Sequence, residues 1–146
     1  MARNIDREGP IQESIVAYLR LQYPRAYLSS IPNELASKAG GGSDKAKRAQ
    51  TIRNVQVKAK RQGMLPGAPD LIFAHQGRVY AFEVKAEGNR QQPNQKEVQA
   101  ICEANGITYA VVRSVDDVKD VLAGPVIENV YKDLHTKLID FRGGIL

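Results

Sequence analysis

Pro69-Asp70 precedes a short apolar run, and thirteen residues later Glu83-Val84-Lys85 closes a second one. Leu71-Ile72-Phe73 reads as the buried part of a strand over Asp70–Ala74, and Val79–Ala86 reads as a second strand. Between them His75-Gln76-Gly77-Arg78 carries a hairpin signal, with glycine at a turn position. A two-residue turn at Gln76-Gly77 pairs His75 with Arg78, and a four-residue loop pairs Ala74 with Val79. Both registers bring Asp70 opposite Glu83, whereas a three-residue loop or a bulge breaks them. Directly opposed residues have Cβ atoms about 4.5–5.5 Å apart, and like charges so placed destabilise a sheet. A divalent cation is the natural compensation. Mg²⁺ takes oxygen ligands and is usually held by one or two carboxylates with water and substrate phosphate. Strand residues two apart share a face, so Lys85 joins Glu83 there, while Tyr80, Phe82 and Val84 face a core. The set suits metal-assisted phosphodiester hydrolysis, in which a cation polarises the phosphate and acidifies a water. The lysine would orient or help deprotonate that water, or stabilise the charge that develops at the phosphate. Glu-x-Lys at a strand end is by itself a common structural pattern. Its combination with Pro69-Asp70 in matching register is what makes it specific.

The elements that must position these groups are legible from periodicity. Ile11, Ile15, Tyr18 and Leu19 form one stripe of a helix from about Pro10 to Gln22, with proline in its first turn and Pro24 as its stop. One further turn back would put Glu8 on the inward side and leave Glu13 facing solvent. Glu8 is then a candidate third acid, or more simply a partner of the helix dipole. Ala26–Ile31 reads as a short strand ended by Pro32-Asn33. Gly40-Gly41-Gly42-Ser43 is a flexible break, followed by a basic helix from Asp44 as N-cap to Gln62, with Gly63 as its stop. Leu65–Pro69 is turn-rich. A third helix from Pro93 to Asn105 places Gln95 with Val98, Ile101 and Cys102 on an inward face. The Gln95 amide there could hold a water or phosphate, or could be an ordinary first-turn polar group. Ile107–Arg113 is a further core strand, and Ser114 caps a helix from Val115 to Leu122. Val126–Asp140 reads as another helix or an arm. Strands mixed with helices indicate an α/β layer fold with a small mixed sheet.

Composition narrows the class. Hydrophobic residues make 42% and charged residues 25% of the 146, ordinary for a globular protein. No stretch approaches the roughly 20 apolar residues of a membrane helix. The start, Met1–Pro10, lacks the apolar segment of a secretory signal, which points to the cytoplasm. The single cysteine, Cys102, reads as a small buried residue, and no Cys/His set has zinc spacing. His75 in a turn and His135 in the tail support neither a His-metal nuclease nor a Ser/His/Asp triad. The net charge of +5 is unevenly placed: Lys38–Arg61 holds eight bases against one acid, a local +7, and the remainder is −2. Such a stretch is either a solvated helix face or a surface for phosphates.

Pro66-Gly67-Ala68-Pro69-Asp70, then Glu83-Val84-Lys85, then Gln95 in the following helix, resembles the VRR-NUC domain of the PD-(D/E)xK nuclease superfamily. The Glu8-x-x-Ile11-Gln12 start and the strand end Val111-Val112-Arg113-Ser114 resemble it too. The resemblance spans about residues 7–122, including a flexible basic segment over 38–62, and leaves 123–146 as a C-terminal extension, helical or a dimer arm. It implies a restriction-endonuclease-like core and an Mg²⁺- or Mn²⁺-dependent deoxyribonuclease, often a homodimer when the domain stands alone. Stand-alone members occur in phages and prophages and are similar to Holliday-junction resolvases, which would place the protein in a bacterial cytoplasm. Carried over by residue, Asp70 and Glu83 would be metal ligands, with the Val84 carbonyl and Glu8 as further ones. Lys85 would be the catalytic lysine and Gln95 the helix glutamine. Lys45, Lys47, Arg48, Arg53, Lys58, Lys60 and Arg61 would hold the DNA backbone, giving affinity without sequence readout. The expectation is a structure-selective DNA endonuclease. The alternatives are a nuclease acting on linear duplex or single strands, and a non-catalytic nucleic-acid-binding protein.

Overall fold

A computed structural model describes residues 6–32 and 44–124. Its elements are α1 (Gly9–Gln22), β1 (Tyr27–Ser30), α2 (Lys45–Arg61), β2 (Leu71–His75), β3 (Arg78–Val84), α3 (Pro93–Ala104), β4 (Thr108–Val112) and α4 (Val115–Ala123). The glycine-rich break at 40–43, the tail from 125 onward and His135 lie outside the described residues. Every helix and strand expected within those residues is present, with ends that differ by one or two residues.

The strands form one sheet in the order β1-β2-β3-β4. β2 runs antiparallel to both β1 and β3. β4 lies parallel to β3, a pairing that needs a crossover, and α3 supplies it. The β2–β3 turn is tight: Gln76 and Gly77 both have positive φ, 50° and 76°, as a two-residue hairpin turn of matching twist requires. His75 pairs with Arg78 and Leu71 with Phe82, so the next step brings Asp70 level with Glu83.

Alternation along β3 separates two cores. On one face Tyr80, Phe82 and Val84 pack with Leu71, Phe73 and Val112 against Ile15 and Leu19 of α1 and Val118 of α4. On the other Ala81 packs with Tyr109 of β4 and Val98 and Cys102 of α3. Each large apolar side chain so buried contributes roughly 1.5–3 kcal/mol. Ile101 departs from the sequence expectation: it is 53% exposed, whereas Val98 and Cys102 are buried. At about 100° per residue, Gln95, Val98 and Cys102 fall within an arc of about 60°, and Ile101 lies about 60° outside it.

Asp44 caps α2, its side chain accepting from the N–H groups of Ala46 and Lys47. None of the α2 residues is buried, and Ile52, Val55 and Ala59 form a half-buried stripe at helical spacing. The segment before β2 is fixed differently. Gly67 has φ +82°, and a Cβ there would stand 2.7 Å from the backbone of Asn94 at the start of α3. This close approach ties the Pro66–Pro69 turn to the helix that carries Gln95. Gly77 has a similar φ, +76°, but open space around it. Gly77→Ala should therefore cost only the left-handed backbone, about 1–2 kcal/mol. Gly67→Ala should cost clearly more, because the backbone of α3 must shift as well. Denaturant unfolding of both variants measures the difference; equal losses would contradict the close approach.

Candidate active site

The site lies at the end of β3 on the face covered by α3. Glu83 and Lys85 share that face with Ala81, and both are buried, at 1% and 8% exposure. The Lys85 ammonium donates to Glu83 Oε1 at 2.7 Å and stands 4.0 Å from Glu8 Oε2. Charges removed from water need such partners. Asp70 enters from the neighbouring strand, its Oδ2 accepting the Val84 N–H at 2.8 Å. That bond pins the start of β2 to the end of β3. Gln95 Nε2 donates to Glu83 Oε1, while Gln95 Oε1 accepts the Gln92 N–H at 2.8 Å. The helix start thereby fixes which end of the amide faces the acid.

Glu8 arrives from the opposite face of the sheet. The sequence reading placed it on an extra turn of helix. In the structure α1 begins at Gly9, and Glu8 is its N-cap residue with helical φ and ψ. Asp6 makes this start, its Oδ1 accepting the N–H groups of Glu8 and Gly9 at 3.1 and 2.9 Å. Glu8 thus needs no further turn of helix to reach round the strand end. Its Oε1 accepts from the Ala86 N–H at 3.3 Å and from Asn89 Nδ2 at 2.9 Å.

The structure thus brings together Glu8, Asp70, Glu83, Val84, Lys85 and Gln95 from four separate stretches of chain. It leaves Lys45, Lys47, Arg48, Arg53, Lys58, Lys60 and Arg61 exposed on α2. Among the described residues the ion pair of this helix is Lys47 with Asp44, at 3.9 Å. Three site neighbours were missed in the sequence. Tyr109 is buried on β4, opposite Ala81, and its hydroxyl donates to Glu83 Oε2 at 3.4 Å. A strand tyrosine facing a core gives no signal of this until the β3–β4 register is known. Asn89 and Asp6 sit in turns, where such residues are expected for local reasons.

Burial raises the Glu83 carboxyl above the usual range; the Lys85 hydrogen bond opposes this, and the Asp70 charge adds to it. Burial, with the Glu83 charge next, likewise raises the Tyr109 hydroxyl. Among the described residues no three Asp, Glu, His or Cys side chains close into a ready-made metal cage. The donors do fit Mg²⁺ or Mn²⁺, hard ions that take oxygen and accept one or two carboxylates with the remaining positions left to water and phosphate. Two acids at adjoining strand positions, one of them buried, make a site where a cation would offset their charge.

Residues 6–116 match the model of the VRR-NUC domain. Two solved structures are similar, one described as a VRR_NUC domain and one as a VRR_NUC domain protein. The first is 19% identical and covers 79% of this chain and 92% of its own, with a TM-score of 0.49. The second is 22% identical and covers 79% of this chain and 84% of its own, also with a TM-score of 0.49. No curated protein matches the chain.

A raised carboxyl in the folded state means that the folded protein binds the Glu83 proton more tightly than the unfolded chain. Stability from this group is present below the ordinary value near 4.5 and is lost as pH rises above it. In EDTA, the Tm of the wild type relative to Glu83→Gln should fall as pH is raised upward from that value. A Tm difference that stays flat or grows with pH would contradict the burial argument.

Proposed function

The chain belongs to the VRR-NUC family, a nuclease-type family, and from that membership we propose that it is a metal-dependent, structure-selective DNA endonuclease. The observation that carries this reading is the convergence at the end of β3. Asp70 and Glu83 stand side by side across two strands, with Lys85 bonded to Glu83 and Gln95 aimed at the same oxygen. Asp70, Glu83, the Val84 carbonyl and Glu8 are the oxygen donors for Mg²⁺ or Mn²⁺. When bound, the ion supplies positive charge against the scissile phosphate and a more acidic attacking water. Gln95 keeps Glu83 in one orientation. Lys85, bonded to Glu83 beside these donors, would orient the attacking water and offset charge developing at the phosphate. The basic face of α2 holds the DNA backbone, an interaction that gives affinity without reading sequence.

The substrate class proposed is branched DNA, four-way Holliday junctions among it, cut by a homodimer. Symmetric cleavage of such a junction needs two active sites, and a twofold pair supplies them. The support is the family resemblance and the exposed basic helix. The test is cleavage of linear duplex, single-stranded, flapped and four-way DNAs with Mg²⁺ or Mn²⁺, with the mass of the active species measured alongside. Asp70→Ala, which removes a proposed cation ligand, and Lys85→Ala, which removes a positioned cationic donor, should each lower the rate by about 10²-fold or more. Variants as fast as wild type would remove the site assignment. Absence of metal-dependent cleavage across the panel would favour a non-catalytic DNA-binding protein.

Binding should weaken with salt in proportion to the phosphates contacted. Each α2 base that touches one contributes about 0.9 to the slope of log K against log salt on duplex DNA. Arg53→Gln with Lys58→Gln should flatten that slope by about 1–2. An unchanged slope would place the DNA elsewhere.

A further inference from the structure

The chain leaves β3 through a turn that does more than change direction. Ala86-Glu87-Gly88-Asn89 closes with the Asn89 N–H donating to the Ala86 carbonyl at 3.1 Å. Gly88 sits at φ +82°, the conformation that this position of a type II turn demands. Both ends of the turn then bind one carboxylate oxygen. The Ala86 N–H reaches Glu8 Oε1 at 3.3 Å, and Asn89 Nδ2 reaches the same atom at 2.9 Å. The turn is itself braced by the residue that follows β4: Arg113 Nη2 donates to the Asn89 carbonyl at 2.8 Å, and the Arg113 N–H donates to Asp117 Oδ2 at 2.7 Å. Glu8 Oε2 is left facing Lys85.

We infer that Asn89 is a positioning residue for Glu8, with Arg113 bracing the turn that carries it. Glu8 stands at a helix start, one residue before Gly9-Pro10, and its carboxylate is part-exposed at 36%. Without the turn only the long 4.0 Å ion pair with Lys85 would oppose the rotational freedom this part-exposed side chain gains in water. With the turn, one oxygen is bound twice and the other is directed inward. This rests on the reading of Glu8 as a metal-side acid. It adds that the acid is delivered by a loop after β3 and the residue that follows β4, rather than by α1 alone.

The test is Mn²⁺ binding to the full chain, followed by electron paramagnetic resonance in the absence of DNA. Wild type, Glu8→Gln, Asn89→Ala, their double variant and Asp70→Asn are compared, with Tm recorded for each. Asn89→Ala and Glu8→Gln should each weaken Mn²⁺ binding about 3–10-fold, and the double variant should be no weaker than Glu8→Gln alone, because both changes remove the same placed carboxylate. Tm should stay close to wild type in Asn89→Ala, since the turn keeps its backbone bonds. Wild-type binding by Asn89→Ala, or losses that multiply in the double variant, would overturn the inference. Asp70→Asn separates the two levels: if it weakens binding while Asn89→Ala does not, the turn has no such role. If Asp70→Asn also binds as wild type, the metal site itself is wrong and this inference falls with it.

Discussion

At the end of β3 a carboxylate and an ammonium are taken out of water together. Glu83 and Lys85 are both buried and bonded to each other at 2.7 Å. Neither charge is tolerable there without the other, and the pair alone does not satisfy all their polar atoms. The surrounding structure completes them. Gln95 comes from α3, Tyr109 from β4 and Glu8 from the start of α1, while Asp70 locks the adjoining strand through the Val84 N–H. Among the described residues no buried side-chain nitrogen or oxygen is left without a partner. A pair this costly to bury adds little to stability by itself. In the proposed nuclease a cation held by Asp70 and Glu83 would take over part of the ammonium's role beside Glu83 and leave Lys85 to the substrate.

The geometry that permits this is mostly backbone. A two-residue turn sets the β2–β3 register and with it the match of Asp70 to Glu83. A one-residue slip would turn Glu83 and Lys85 to the face now filled by Phe82 and Val84. Gly67 lets the preceding loop touch the start of α3, so Asp70 and Gln95 are set relative to each other by one contact. Both cores then hold the sheet between α1 and α4 on one side and α3 on the other. The site sits where the two layers end, with a side chain from each layer reaching it.

Much of this was legible in the sequence. A tight loop at His75–Arg78, of two residues or of four, sets the two acids opposite each other by counting, and the structure adopts the two-residue turn at Gln76-Gly77. The apolar stripe of α1 and the alternation of β3 assigned their faces correctly. What stayed hidden depended on tertiary neighbours. Tyr109 joins Glu83 because β4 pairs parallel with β3 in one register, and no local pattern encodes that. Asn89 and Asp6 carry no local sign of their roles, since their distant and capping partners appear only once the chain folds back. Ile101 had the right residue type for the core but the wrong helical angle, which three-or-four spacing does not resolve. The basic charge was visible as composition, and the structure shows it displayed along α2 with none of its residues buried.

The proposed function depends on a cation that would sit between the carboxylates of Asp70 and Glu83. A crystal soaked in MnCl₂ and measured near the manganese edge tests this without any assumption about substrate. The predicted result is an anomalous peak in coordination contact with the carboxylates of both Asp70 and Glu83, with the Lys85 ammonium displaced from Glu83. A crystal that shows no manganese there, with the Glu83–Lys85 bond intact at saturating Mn²⁺, would contradict it.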